Sequence, residues 1–156
     1  MTKRFVIASV QANPTLGAIE KNEAKARELI AQANAMGADV ALFPELFLLG
    51  YPPEDLALKP AAVAACKAAL TRLAKDTAKG CAVLMGTMWP GSGRLPRNSL
   101  ALLADGKVKD ITFKVDLPNY GVFDEKRVFE PGPGPKVFEV AGVKLAVPVC
   151  EDIWSP

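Results

Sequence analysis

The chain has 156 residues, of which half are hydrophobic and 23% are charged, a composition that fits one folded domain and excludes intrinsic disorder. Nineteen basic and seventeen acidic residues give a formal net charge of +2, so the charge balance does not indicate a nucleic-acid partner. The chain contains no histidine, which excludes Ser-His-Asp and Cys-His catalysis and every histidine-dependent metal site within it.

The three cysteines, Cys66, Cys81 and Cys150, form no C-x-x-C pair and therefore indicate neither a structural zinc site nor a thioredoxin-like motif. Their odd and small number is typical of a reducing compartment. The apolar run near the start is too short for a signal peptide, and no run approaches the ~20 residues of a membrane span. We therefore expect a cytoplasmic protein with no membrane partner.

The first half of the chain alternates between short apolar runs and longer helical patterns. The apolar runs are rich in Val, Ile and Leu, as in buried strands. The first helical pattern has an apolar face from Ile19 to Met36, and Gly37 supplies its stop signal. The predicted strands are 5–12, 39–43 and 82–86, the predicted helices are 18–36 and 61–79, and a loop is predicted over 46–60.

The second half is predicted to consist mainly of strands. Asp105-Gly106 favours a tight primed turn, which indicates a β-hairpin. The predicted strands are 98–103 and 107–114, then 137–140 and 144–149, with an irregular loop over 115–135 between the two pairs. The whole order predicts an α/β fold with a mixed sheet and at least two covering helices.

Three residues with chemically useful side chains follow apolar strands: Glu45, Lys114 and Cys150. The carboxyl ends of strands are where α/β sheets place their sites. Taken singly, each residue also has a plain structural interpretation: a loop carboxylate in solvent, a strand-end lysine in solvent and a buried free thiol. Taken together, they supply a nucleophile, a base and a fixed positive charge without any histidine.

The surroundings of Cys150 point in two directions. A helix that begins at this residue would stabilise a thiolate, because its N-terminus carries a partial positive charge. The neighbouring acids Glu151 and Asp152 oppose a second negative charge unless a cation lies close by. Lys114 is the candidate for that cation.

The segments around these three residues resemble the nitrilase, or carbon–nitrogen hydrolase, superfamily. They are FPELFLLGY around Glu45, FKVDLPNYGVFDEKRVFEPG around Lys114 and VPVCEDIW around Cys150. The middle segment, together with GYPPEDL after Glu45, is similar to the glutaminase domain of glutamine-dependent NAD+ synthetases. The resemblance implies part of an α-β-β-α sandwich with a mixed sheet, and residues 1–156 would form an incomplete domain of this kind.

The resemblance also implies a mechanism and a set of site residues. Cys150 would attack the side-chain amide of L-glutamine, Glu45 would carry the proton, and Lys114 would stabilise the oxyanion. The other residues implied are Glu125, in a supporting role near the lysine, and Tyr120, Phe123 and Glu151, lining the glutamine pocket. Two plainer alternatives stay open: Glu125 pairs only with Lys126 or Arg127, and Phe123 belongs to the core.

In the family, the released ammonia serves an ATP-dependent amination of deamido-NAD+ in a synthetase domain. No P-loop pattern is present, and GSGRLP has Pro96 where a dinucleotide-binding fingerprint needs its third glycine. ATP, Mg2+ and deamido-NAD+ are therefore implied for the missing synthetase domain, and no cofactor or metal is expected in this chain. The full-length enzyme is expected to form a homo-oligomer.

Because the chain stops soon after Cys150, we expect it to be inactive or nearly so on its own. One alternative function is a stand-alone amidase or nitrilase that acts on another C–N bond. Another is a catalytically dead fragment that serves only as a structural surface. A small nucleotide-binding module is a distant fourth, because the glycine fingerprint is incomplete.

Overall fold

The computed structural model describes residues 4–154. Its elements follow the predicted order, with two long helices between the first three strands and a hairpin after them. They are β1 (Ile7–Ser9), α1 (Ile19–Ala35), β2 (Val40–Leu42), α2 (Pro60–Asp76), β3 (Ala82–Trp89), β4 (Arg97–Ala104), β5 (Lys107–Phe113), α3 (Glu125–Val128), β6 (Val137–Val140) and β7 (Val143–Ala146). Two 3₁₀ helices, Glu54–Leu58 and Cys150–Ile153, lie in the connections.

The main sheet has five strands in the order β1-β2-β3-β4-β5. The pairs β1-β2 and β2-β3 are parallel, and the pairs β3-β4 and β4-β5 are antiparallel. Parallel neighbours need crossover connections, which α1 and α2 supply. Because such crossovers are right-handed and the strand order runs in one direction, both helices lie on one face of the sheet. The predicted mixed α/β architecture is confirmed.

The two faces of the sheet carry separate hydrophobic cores. Side chains alternate between the faces along each strand, so that Val83 and Met85 pack on the helices. Leu84, between them in β3, faces the opposite side and joins the cluster formed with Phe138 of β6. The β6-β7 hairpin therefore covers the face that the helices leave open.

Local turn chemistry was predicted well from the sequence. Asp105 and Gly106 both have left-handed φ angles, +51 and +75, and they join β4 to β5 as the primed turn requires. Gly37, with φ +69, follows α1.

Several predicted element boundaries were wrong. The first strand covers only Ile7–Ser9, since these residues alone pair with β2. The third strand continues to Trp89, because β4 pairs with its whole length. The last strand ends at Ala146 rather than at 149. Met36 is 77% exposed, because α1 ends one residue before it and its side chain leaves the apolar face.

Within residues 4–154, no helix is both long enough and apolar enough to span a membrane.

Candidate active site

Glu45 lies just beyond the carboxyl end of β2, in a segment that packs tightly against the middle of β3. Gly86 makes this contact possible: a Cβ there would lie 2.1 Å from the backbone oxygen of Pro44 and 2.7 Å from the backbone nitrogen of Leu46. Leu46 has φ +50, in the left-handed region that strains most side chains. Close packing and an unusual turn thus hold Glu45 at the edge of the sheet.

Lys114 directly follows β5, and its side chain is fully buried. Its Nζ donates to Oε1 of Glu45 at 2.8 Å and to Oε1 of Glu125 at 2.8 Å. Burial alone would lower the pKa of Lys114, but the charge of Glu45 and the hydrogen bonds to both carboxylates raise it above its usual value. The lysine is therefore a permanent buried cation, and the plain interpretation of a strand-end lysine in solvent is wrong.

Glu125 begins α3 and is 3% exposed. Its Oε1 accepts hydrogen bonds from Lys114 Nζ and from the hydroxyl of Tyr51, the latter at 2.9 Å. Burial raises the pKa of Glu125 despite the neighbouring ammonium. Burial and then the hydrogen bond to Glu125 raise the pKa of Tyr51, which stays a neutral donor. Pairing with Lys126 or Arg127 is not observed: Arg127 instead binds aspartates of two neighbouring segments.

Asn98 is a site residue that the sequence analysis did not identify. It is fully buried in β4, and its Nδ2 donates to Oε1 of Glu45 at 2.6 Å. The two donors, Asn98 and Lys114, thus bind the same carboxylate oxygen. Among the residues that the structure describes, Oδ1 of Asn98 is buried without a hydrogen-bond partner. It lies in the polar start of β4, between Arg97 and Ser99, where the sequence carries no distinctive signal for it.

Cys150 is exposed, whereas Cys66 and Cys81 are buried. It begins the 3₁₀ helix Cys150–Ile153 with φ +49, a left-handed value that is strained for a residue with a side chain. Burial, then the charge of Glu45, raise the pKa of its thiol above the usual value, and Lys114 only partly opposes them. Of the two influences that the sequence left open, the one that disfavours a thiolate is therefore the stronger. Attack by the sulfur would then need a base to take the thiol proton.

Asp152 connects the backbone on either side of the site. Its Oδ1 accepts hydrogen bonds from the backbone nitrogens of Val115 at 2.9 Å and Asp116 at 2.8 Å. Its Oδ2 accepts from the backbone nitrogen of Val149 at 3.1 Å. The sequence analysis considered Asp152 only as a negative charge beside the thiol.

The three predicted pocket residues lie near one another. The hydroxyl of Tyr120 is within 3.0 Å of both carboxylate oxygens of Glu151, and the ring of Tyr120 contacts that of Phe123 edge to face at 5.6 Å. Phe123 is half-buried and lies outside both hydrophobic cores. A cavity of about 630 Å³ is lined by residues 115–120 and Glu151. Glu45 and Tyr51 line a second cavity, of about 690 Å³.

The described part of the chain places no three Cys, Asp or Glu side chains where they could hold a metal ion together. The arrangement is instead suited to acyl transfer: an exposed thiol, a carboxylate, Glu45, whose charge acts on that thiol, and a buried cation for a developing oxyanion.

Comparison with known proteins identifies the family of the chain. The carbon-nitrogen hydrolase family model matches residues 6–156. The chain is 43% identical over 155 residues to a glutamine-dependent NAD(+) synthetase of Thermotoga maritima, and this match covers 99% of the chain and 27% of the relative. The chain thus spans little more than a quarter of the length of that relative.

Two kinds of solved structure resemble the fold. A glutamine-dependent NAD+ synthetase from Acinetobacter baumannii, in complex with ADP, has a TM-score of 0.91 and 40% identity, over 98% of this chain and 29% of that chain. A mutant of the amidase from Nesterenkonia sp., carrying acrylamide added at its active site cysteine, has a TM-score of 0.84 and 27% identity, over 96% of this chain and 59% of that chain. That amidase is of the nitrilase superfamily. The chain therefore belongs to the carbon-nitrogen hydrolase family, with a nitrilase-type fold.

Proposed function

We propose that this chain carries the glutamine-hydrolysing site of a longer glutamine-dependent NAD+ synthetase, with Glu45, Lys114 and Cys150 as its catalytic residues. The observation that carries the proposal is the burial of Lys114 between Glu45 and Glu125, 2.8 Å from each, together with an exposed Cys150 whose thiol pKa is raised by burial and by the charge of Glu45. A buried lysine between two carboxylates is costly to maintain for stability alone. It is useful where negative charge develops during a reaction.

In the first half of the reaction, Glu45 takes the proton of the Cys150 thiol, and Sγ forms a bond to the side-chain amide carbon of glutamine. The carbonyl oxygen becomes an oxyanion that the ammonium of Lys114 stabilises. Glu45 then gives its proton to the amide nitrogen, the C–N bond breaks, and ammonia leaves. A thioester between Cys150 and the glutamyl group remains.

In the second half, Glu45 takes a proton from a water molecule, and the resulting hydroxide attacks the thioester carbon. Lys114 again faces the oxyanion. The C–S bond breaks, the proton returns to the sulfur, and glutamate is released. Glu125, held by Tyr51 at 2.9 Å, keeps the ammonium of Lys114 in place through both halves.

Tyr120 and Glu151, which line the cavity that residues 115–119 also line, are proposed to bind glutamine together with Phe123, whose ring contacts that of Tyr120. The carboxylate of Glu151, already hydrogen-bonded by Tyr120, suits the α-ammonium group of an amino acid. Residues 1–156 would then form the first part of the glutaminase domain. The ammonia would serve amination of deamido-NAD+ elsewhere in a homo-oligomeric protein, where ATP and Mg2+ would bind.

The first test is site-resolved labelling of the chain by a glutamine-mimicking electrophile, read by peptide mass spectrometry. We expect Cys150 to react selectively, and Glu45→Gln and Lys114→Met to abolish the selectivity. Cys66 and Cys81 are the internal controls, because both are buried. Equal and slow labelling of all three cysteines would contradict the proposal.

A second candidate function is hydrolysis of small amides, because the Nesterenkonia amidase resembles the chain over 96% of its length. Competition separates the two candidates. Protection of Cys150 by glutamine but not by propionamide supports the glutaminase. The reverse pattern would favour the amidase.

A further inference from the structure

The carboxylate of Asp152 joins two stretches of backbone that carry different parts of the site. One stretch, Val115 and Asp116, immediately follows Lys114, and the other, Val149, immediately precedes Cys150. The three hydrogen bonds, of 2.9, 2.8 and 3.1 Å, cross 37, 36 and 3 positions of the sequence. The side chain of Asp152 thus links the backbone of the lysine segment directly to that of the cysteine segment.

Two other contacts hold the cysteine segment: Val149 is buried in the second hydrophobic core, and Tyr120 donates to the carboxylate of Glu151. Neither is a hydrogen bond to the backbone of the segment. Cys150 has φ +49, which a residue with a side chain adopts only under constraint. The 3₁₀ helix that it begins is four residues long, and helices of this kind are weak on their own. The paired strand β7 has already ended at Ala146, three residues before Val149.

Both oxygens of Asp152 act as acceptors from backbone N–H groups, which is a role that only a carboxylate fills completely. An asparagine could keep the two bonds of Oδ1 but would lose the bond to Val149, since its amide nitrogen is a donor. An alanine would lose all three. The chain therefore offers a graded series of variants at one position.

We propose that Asp152 is a positioning residue, which fixes the Cys150 sulfur relative to Lys114 by tying their backbones together. The inference rests on the proposed function, because the position of the Cys150 sulfur matters for catalysis only if Cys150 is the nucleophile. Asp152 touches neither the substrate nor the reacting atoms in this proposal. It acts only through the backbone of residues 115, 116 and 149.

The first experiment measures hydrogen exchange of the three backbone amides by NMR, in the wild-type chain and in Asp152→Asn and Asp152→Ala. We expect faster exchange of the Val149 amide in Asp152→Asn, and of all three amides in Asp152→Ala. Unchanged exchange of these amides in both variants would overturn the inference. Thermal unfolding of each variant shows whether it remains folded, and Asp152→Asn, the milder change, keeps the test valid if Asp152→Ala does not fold.

The second experiment compares two labelling rates at Cys150: that of a glutamine-mimicking electrophile and that of iodoacetamide, which needs no positioning. We expect the ratio of the first rate to the second to fall by about tenfold or more in Asp152→Ala and by less in Asp152→Asn. A purely structural role would change both rates together and leave the ratio constant. A constant ratio would therefore overturn the inference.

Asp39 supplies the matched control. Its Oδ2 accepts a hydrogen bond from the backbone nitrogen of Val6 at 2.8 Å, before the start of β2 and thus at the opposite end of that strand from Glu45. Asp39→Asn should leave the ratio of rates at Cys150 unchanged. Failure of the proposed function would look different: Cys150 of the wild-type chain would show no preference for the glutamine mimic, whatever the residue at 152.

Discussion

Asn98 and Lys114 are linked twice: the backbone nitrogen of Lys114 donates to the backbone oxygen of Asn98 at 2.9 Å, and both side chains donate to the same oxygen of Glu45. The backbone bond joins β4 to the residue after β5. The side-chain bonds then restrain Oε1 of Glu45 from two directions. In the proposed mechanism, the second oxygen, Oε2, is the one that accepts the proton of Cys150.

This relationship predicts that Asn98→Leu, which is close in volume, slows labelling of Cys150 by a glutamine-mimicking electrophile by about tenfold or more, since a hydrogen bond to a charged group is worth about 1.5–3 kcal/mol. Thermal stability should change little, because the unpaired Oδ1 is removed as well. Second-order labelling rates and melting curves provide the measurement. Ser99→Ala, next on the same strand, is the control, and equal rates in wild type and Asn98→Leu would exclude a role for Asn98.

Lys114 should matter for both stability and reactivity, in separable ways. Lys114→Met leaves Glu45 and Glu125 close together without their shared cation, and breaking a buried pair of this kind costs about 3–5 kcal/mol. Adding Glu125→Gln removes one of the two charges and should restore much of the stability without restoring the reactivity of Cys150. Urea unfolding and labelling of the single and double variants test this. Recovery of reactivity in the double variant would mean that Lys114 has no catalytic role.

The pH dependence of Cys150 alkylation should reveal the two charges around it. Burial and the charge of Glu45 raise the pKa of the thiol, and Lys114 lowers it. The rate of alkylation by iodoacetamide should therefore have its pH midpoint above the usual pKa of a cysteine thiol. Glu45→Gln should shift the midpoint down because a negative charge is lost, and Lys114→Met should shift it up because a positive charge is lost. Shifts in the same direction would contradict the arrangement.

An ion pair far from the site offers a pH-dependent stability test. Glu23 of α1 binds Arg72 of α2 at 2.6 Å, and its pKa is lowered chiefly by this hydrogen bond, against the opposing effect of burial. A carboxyl group whose pKa is lowered in the folded state stabilises that state at pH values above its pKa in the unfolded state, here 4.5. This stabilisation is lost as the pH falls through the folded-state pKa. Glu23→Gln should cost about 1–3 kcal/mol at pH 7 and progressively less as the pH falls below 4.5 and through the lowered folded-state value. A constant difference across this range would show that packing, rather than charge, is responsible.

The sequence was informative where local chemistry decides the structure. Two features depend only on the backbone preferences of one or two residues. They are the primed turn at Asp105 and Gly106, and the end of the first helix before Gly37. The candidate residues Glu45, Lys114 and Cys150 were found because each follows an apolar run. The structure places Lys114 in contact with both Glu45 and Glu125, as the family resemblance implied.

Asn98 and Asp152 could not be found in this way, because Glu45 lies 53 positions from Asn98, and two of the three partners of Asp152 lie 37 and 36 positions from it. An asparagine at the start of a strand and an aspartate beside a cysteine have no distinctive local pattern. The kind of helix that begins at Cys150 could not be predicted for a related reason. The short sequence that follows Val149 is compatible with an α-helix and with a 3₁₀ helix. Its contacts with the lysine segment decide which of the two forms.

Gly86 shows how far the site extends beyond the groups that react. A methyl group at this position would overlap backbone atoms of the Glu45 segment, and a rotamer change cannot relieve a clash with backbone. In a survey of random substitutions, we expect Gly86, in the middle of β3, to tolerate replacement as poorly as Cys150, the proposed nucleophile. Gly86 would be sensitive because its lack of a side chain leaves room for the Glu45 segment. Sensitivity to substitution alone would therefore not identify the reacting groups of this enzyme family.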